Sequence, residues 1–326
     1  MATPPQPVRF ALGTFSDGGE PRFPGLVVED RVLDLGTALA WRPASTTAVL
    51  DRWDEVLPVL RDLAGDRNGD WRPLAGLRVH APVEPRQVVQ SGANYRRHVI
   101  DLVVAHRAGD SAETEEQARE RAAALMDRRA RDDQPYVFTG LPSAITGPYD
   151  DVVLPAWTTQ PDWELELVAV IGRPAHRVPV DRALEHVAGY TIANDLTARD
   201  HVFRPDMKEI GTDWFRAKNA PGFTPLGPFV VPAEFVPDPM DLRLTLRLNG
   251  VVMQDESTKD MIFDVARIVS YASQTARLLP GDVVLTGSPA GNGIHHGRLL
   301  RAGDVMESTI TGLGAQRTTC VGEERR

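Results

Sequence analysis

Two glutamates, Glu164 and Glu166, stand one residue apart in the stretch PDWELELVAVIG, residues 161–172. On a strand, alternation puts both carboxylates on one face and Trp163, Leu165 and Leu167 on the other. At about 4 Å and an effective dielectric near 20, two such charges repel by roughly 4 kcal/mol. Exposure to water, a shared proton or a cation would relieve that repulsion. A third acid, Asp195, sits in GYTIANDLTARD, where a strand-like run turns polar, a common place for a functional side chain. An all-oxygen, highly charged donor set suits Mg²⁺, Mn²⁺ or Ca²⁺ rather than Zn²⁺. A polar strand face turned to water is the plain alternative.

A base is the second requirement for chemistry. NYRRHVIDL places His98 and Asp101 three residues apart, on one side of a helix. A carboxylate beside an imidazole raises its basicity and fixes its orientation, although many such pairs are simple surface contacts. Lys218 in FRAKNAPG could face an enolate or a carboxylate. GSPAGNG, residues 287–293, matches neither common phosphate-binding glycine fingerprint. It reads as a tight turn bringing backbone near a ligand, with no helix pattern after it. His295 and His296 have no partner motif and read as loop. There is no Gly-x-Ser-x-Gly elbow, and the lone cysteine, Cys320, is a poor nucleophile candidate.

These residues need a scaffold. Residues 1–82 read as a small N-terminal unit, with strands in VRFALGTF and FPGLVVEDRVLDLG followed by helical spacing at Val49, Leu50, Trp53, Val56 and Leu57. Residues 83–326 form the larger unit. It is strand-rich, with an Asn-Gly hairpin signal in LRLNGVV and a helix around Ile262, Ala266, Val269 and Ala272 that Pro280-Gly281 stops. The order lacks regular β-α alternation, so the expected class is α+β with a mixed sheet. Residues 110–134 form a polar helical insertion with a cap at Asp110 and Glu113, either plain surface or a flap over a site. A formal net charge of −9 argues against nucleic-acid or anionic-membrane partners, and no window approaches a membrane span. The expectation is a soluble, cytoplasmic protein.

Taken in order, SGANYRRHVIDL, LPSAITGP, DWELELVAVIG, GYTIANDLTARD, KNAPGFTPLGPFVV and the run from Asp260 through GSPAGNG resemble the fumarylacetoacetate hydrolase family. The resemblance implies a mixed β-sandwich roll with a small N-terminal domain, dimerising through the large one. It implies that Glu164, Glu166 and Asp195 hold Mg²⁺ or Mn²⁺, with Ca²⁺ also admissible. His98 and Asp101 become a catalytic dyad on a lid, and Lys218 joins the site. Arg199, Gly287 and Ser288 become substrate contacts, Arg199 having a structural role through Asp200 as its alternative. The chain departs from the family at Asp101, where Glu is usual, at Gly140, where many members carry Lys, and at Val202, where larger members carry Gln. The implied reaction is hydrolytic C–C cleavage of a 2,4-dioxo acid of the acylpyruvate type. Decarboxylation, tautomerisation or hydration of a 2-oxo acid on the same site, and a non-catalytic metal and oxo-acid binder, are the alternatives.

Overall fold

Alternation along Leu165–Ile171 organises the molecule. Every residue of this strand is buried, because different layers cover its two faces. Leu165, Leu167, Ala169 and Ile171 join a core with Tyr190, Ile192, Leu244, Leu246 and Ile268. Val168 and Val170 join a second core with Leu12, Leu26, Leu50 and Trp53 from the N-terminal segment. Glu164 and Glu166 continue the Val168–Val170 face past the end of that apolar packing. This computed structural model describes residues 8–18, 21–66, 68–105 and 114–324.

The strand lies within a six-stranded sheet ordered Val231–Pro232, Val187–Asn194, Leu165–Ile171, Val283–Leu285, Val88–Ser91, Val137–Gly140. Val283–Leu285 pairs parallel with Val88–Ser91, whereas the other pairings are antiparallel, so the sheet is mixed as expected. A five-stranded sheet from Val251–Ser257 to Val152–Leu154 faces the first core. Its Arg243–Leu248 and Val251–Ser257 strands meet at Asn249 and Gly250, both in the left-handed region at φ 52° and 82°, as a tight Asn-Gly turn requires. A separate five-stranded antiparallel sheet gathers residues 11–80. The class is therefore α+β and strand-rich, in open sheets rather than a closed barrel.

Two helices flank the site end of the large sheet. Arg96–Ala105 follows Val88–Ser91, and Glu115–Asp132 packs on it through buried Ala118, Ala122 and Met126. The expected cap residues Asp110 and Glu113 lie outside the described residues. The second helix starts instead from Thr114, whose hydroxyl accepts from the Gln117 N–H at 3.2 Å while the Gln117 carbonyl accepts the Thr114 N–H at 2.9 Å. The helix at Val265–Thr275 is capped by Asp264 and closes before Pro280-Gly281, and Ile262 precedes it. Among the described residues no helix is long and apolar enough to cross a membrane.

Candidate active site

Strand register brings the three acids together. Leu165 pairs with Asn194 and Glu166 with Ala193, so Asp195 emerges beside the glutamates just where its strand ends. Two bonds lock that junction: the Asp195 N–H donates to the Glu164 carbonyl, and the Glu164 N–H to the Asn194 side chain, each at 2.8 Å. Glu164, Glu166 and Asp195 each direct one carboxylate oxygen into a cluster whose members lie within 4.8 Å of one another. Glu166 and Asp195 are 1% exposed, and the Glu164 side chain 13%. The water-facing reading of the pair is thereby excluded.

Lys218 ends the short helix Trp214–Lys218, which Asp213 caps. Its buried ammonium donates to Glu164 Oε2 at 2.8 Å, Asp195 Oδ2 at 2.7 Å and the Asp195 carbonyl at 2.9 Å, using all three protons. Arg199 donates from Nε to Asp162 Oδ2 at 2.8 Å, and its Nη2 stands 2.6 Å from Glu164 Oε1. The alternative through Asp200 finds no support, since Asp200 instead binds Thr158 and Thr159. Gly287 takes φ +91° and donates its N–H to Glu166 Oε2 at 2.7 Å; a Cβ there would meet Asn94 Cβ at 2.8 Å. The Ser288 hydroxyl accepts from Gln254 Nε2 at 2.9 Å.

Gly140, where many family members carry Lys, lies beneath Gln90. A Cβ on Gly140 would come 2.6 Å from Gln90 Oε1, and the Gln90 amide donates to Asp195 Oδ1 at 2.6 Å. A neutral amide fills that space. Val202 is buried, away from solvent.

The charges do not balance. Asp162, Glu164, Glu166 and Asp195 contribute four negative charges, and Lys218 and Arg199 two positive ones, leaving a formal −2. Burial pushes Glu166 well above the ordinary carboxylate range, reinforced by Asp195 and Glu164. Burial likewise lifts Asp195 to about 6, with Lys218 pulling against it and Glu164 adding to it. At Glu164 burial is outweighed by Lys218 and Arg199, which hold it at about 2. Nearby, the Gln90 Oε1 and the buried Tyr95 hydroxyl have no hydrogen-bond partner among the described residues. An all-oxygen donor set with two uncompensated charges fits a hard divalent cation, and Glu164, Glu166 and Asp195 could hold it.

His98 is buried on the helix Arg96–Ala105. Burial lowers its pKa to about 4, only partly offset by Glu164, so the imidazole is neutral near neutral pH. Its Nδ1 lies 3.1 Å from Nε2 of His295. Asp101 forms no hydrogen bond to His98 among the described residues; its carboxylate accepts from Arg119 Nη1 at 2.9 Å. The sequence reading missed His295, and the expectation of no helix after GSPAGNG is corrected by the turn of helix at Gly293–His296. Asp162 Oδ1 accepts the Gly293 N–H at 2.6 Å and so anchors that turn. The sequence reading also passed over Asp162, two residues before Glu164 and on the same side by alternation, because nothing local marked its partners.

Comparison with known proteins gives the family. Residues 87–321 match the model for the fumarylacetoacetate hydrolase C-terminal domain. A 2,4-didehydro-3-deoxy-L-rhamnonate hydrolase from Sphingomonas is 43% identical over 189 residues, which is 56% of this chain and 64% of that protein. A mitochondrial oxaloacetate tautomerase from Xenopus laevis is 30% identical over 92% of this chain and 86% of its own length. Among solved structures, the fumarylacetoacetate hydrolase of Exiguobacterium antarcticum superposes with a TM-score of 0.71 at 30% identity, covering 96% of this chain and 100% of that one. From the matched domain, the length of the similarity and the shared fold, this chain belongs to the fumarylacetoacetate hydrolase family of enzymes.

Proposed function

We propose that the protein is a divalent-cation-dependent hydrolase that cleaves the C3–C4 bond of a 2,4-dioxo acid of the acylpyruvate type. The observation that carries this reading is the buried cluster of Glu164, Glu166 and Asp195, short of positive charge, on the same domain as a neutral buried His98. Mg²⁺ or Mn²⁺ held by the three carboxylates would supply Lewis-acid polarisation of the 2-oxo group. The chain's own residues supply the rest. His98 accepts a proton from a water that adds to the distal carbonyl, C4, of the substrate. The C3–C4 bond then breaks, its electron pair leaving with the pyruvate fragment as an enolate. The protonated His98 returns its proton to C3, so the products are a carboxylic acid and pyruvate. Lys218 keeps Glu164 and Asp195 ionised and places a positive charge beside the fragment that gains electrons. Arg199 fixes Glu164, Gly287 orients Glu166 through its N–H, and Ser288 lines the turn next to it. Asp101 completes the set from the lid helix, and a second copy of the chain is the partner expected of the large domain.

Tautomerisation of oxaloacetate is the second reading, favoured by the Xenopus laevis relative, which matches nearly the whole chain. It uses the same carboxylates and base but moves one proton between carbon and oxygen without adding water. An assay of acylpyruvates and oxaloacetate with Mg²⁺ or Mn²⁺, products identified by mass, separates the readings. Pyruvate plus a carboxylic acid from the acylpyruvate supports hydrolysis. Ketone–enol exchange of oxaloacetate with acylpyruvates left intact supports the tautomerase.

A further inference from the structure

The proposed base has a partner other than the one the family resemblance supplies. His98 lies on one helix and His295 on the single helical turn Gly293–His296, nearly two hundred residues away, with Nδ1 and Nε2 3.1 Å apart. Their rings meet edge to face, with centroids 5.2 Å apart and planes at 80°. Asp101, one turn along from His98, instead gives its carboxylate to Arg119. We infer that His295 is the positioning residue of the base: its Nε2 accepts the Nδ1–H of His98 and thereby leaves the His98 Nε2 lone pair free to take a proton.

The inference rests on the reading of His98 as a base, but the hydrogen bond can be examined without substrate. One proton lies between the two rings, and its owner decides the chemistry. Were His295 the donor, His98 would carry its proton on Nε2 and present no lone pair to water. In the accepting form His295 carries its own proton on Nδ1. Asp101 and His295 line one cleft of about 300 Å³. Asp162 fixes the turn through the Gly293 N–H at 2.6 Å, and a weaker contact reaches the Ile294 N–H at 3.3 Å. The same Asp162 binds Arg199, which holds Glu164. One buried carboxylate thus ties the orientation of the base to the position of a candidate metal ligand. Asp101 lines the cleft beside His295 while Arg119 holds its carboxylate.

The test is the histidine tautomer, read by long-range ¹H–¹⁵N correlation on the full chain with ¹⁵N-labelled histidine, near neutral pH and without substrate. The expected wild-type spectrum has His98 protonated at Nδ1 and bare at Nε2, with the reverse distribution rising in His295→Phe and the wild-type form returning in His295→Gln, whose amide oxygen can accept. With substrate, His295→Phe should lower kcat by roughly 10–100-fold at nearly constant KM, and His295→Gln should recover most of it. An Nε2–H tautomer in wild-type His98 overturns the inference even if no variant folds, and so does an unchanged tautomer in His295→Phe. If the tautomer behaves as expected but no acylpyruvate is cleaved, the hydrolase reading fails and the pairing stands.

Discussion

Replacing Lys218 with Met removes the only ammonium in the acidic cluster while keeping an unbranched apolar side chain. It leaves Glu164 Oε2, Asp195 Oδ2 and the Asp195 carbonyl without the donor they share. Breaking a buried ion pair from one side typically costs about 3–5 kcal/mol. The protein can escape by protonating a carboxylate, which sets a ceiling on the cost. Asp195 already titrates at about 6 in the wild type against an ordinary value of 3.8, so the added cost of protonating it in the variant is close to zero near pH 6 and about 3 kcal/mol near pH 8, at roughly 1.36 kcal/mol per unit. Glu164 follows the same sign: held at about 2 instead of 4.5, it contributes stability above 4.5 that is lost as pH falls through 2. The penalty in Lys218→Met should therefore grow with pH. For 326 residues an unfolding entropy of about 2.1 cal/mol/K each gives about 0.7 kcal/mol/K. A Tm loss of up to about 4 °C near pH 8 follows, shrinking toward zero near pH 6. Mg²⁺ should restore more Tm to this variant than it adds to the wild type, because both cations answer the same charges. Thermal unfolding with and without Mg²⁺ at both pH values is the assay. A Tm within a degree of wild type at pH 8, or a smaller Mg²⁺ gain in the variant, would refute the assignment of Lys218 as the cluster's internal cation.

Further outcomes follow from the same charges and packing. Glu166→Gln keeps the shape that receives the Gly287 N–H but removes one ligand charge, so Mg²⁺ titration should show at least tenfold weaker binding; an unchanged titration removes Glu166 from the metal set. Asp195 titrates at about 6 against an ordinary 3.8, so its contribution to metal-free stability is complete below 3.8 and is lost as pH rises through 6, and Glu166, raised well above its ordinary range, shifts in the same direction. The Mg²⁺-induced rise in Tm should accordingly be larger near pH 8 than near pH 5.5, and equal rises would contradict the account. The helix Glu115–Asp132 buries only Ala118, Ala122 and Met126, so hydrogen exchange in 96–105 and 115–132 should slow when oxalate and Mg²⁺ are added; identical exchange would make the insertion plain surface.

What the sequence revealed follows from how local each signal was. The Leu165–Ile171 strand, the Asn249–Gly250 turn and the clustering of Glu164 with Glu166 depend on neighbours within a few residues, and period and turn chemistry expose them. Asp195 was reachable because a strand end beside a polar run is itself a recognisable pattern. His295 was not, because its meaning lies entirely in a contact with His98 across the fold. The same holds for Asp162, whose backbone and Arg199 partners come from two distant turns. Asp101 illustrates the opposite hazard: its spacing from His98 is right for a dyad, but Arg119 from the following helix takes the carboxylate. Gly140 could be seen as a missing lysine, whereas Gln90 filling its place needed the sheet pairing of Val88–Ser91 with Val137–Gly140.

The most direct test of the proposed chemistry is His98→Ala, assayed for pyruvate release from an acylpyruvate alongside its affinity for Mg²⁺ and oxalate. His98 is not among the three carboxylates of the cluster, so both affinities should remain near wild type. Loss of a positioned general base should lower turnover by roughly 10²–10⁴-fold. Wild-type pyruvate release from His98→Ala would contradict the hydrolytic mechanism, whatever the metal affinity.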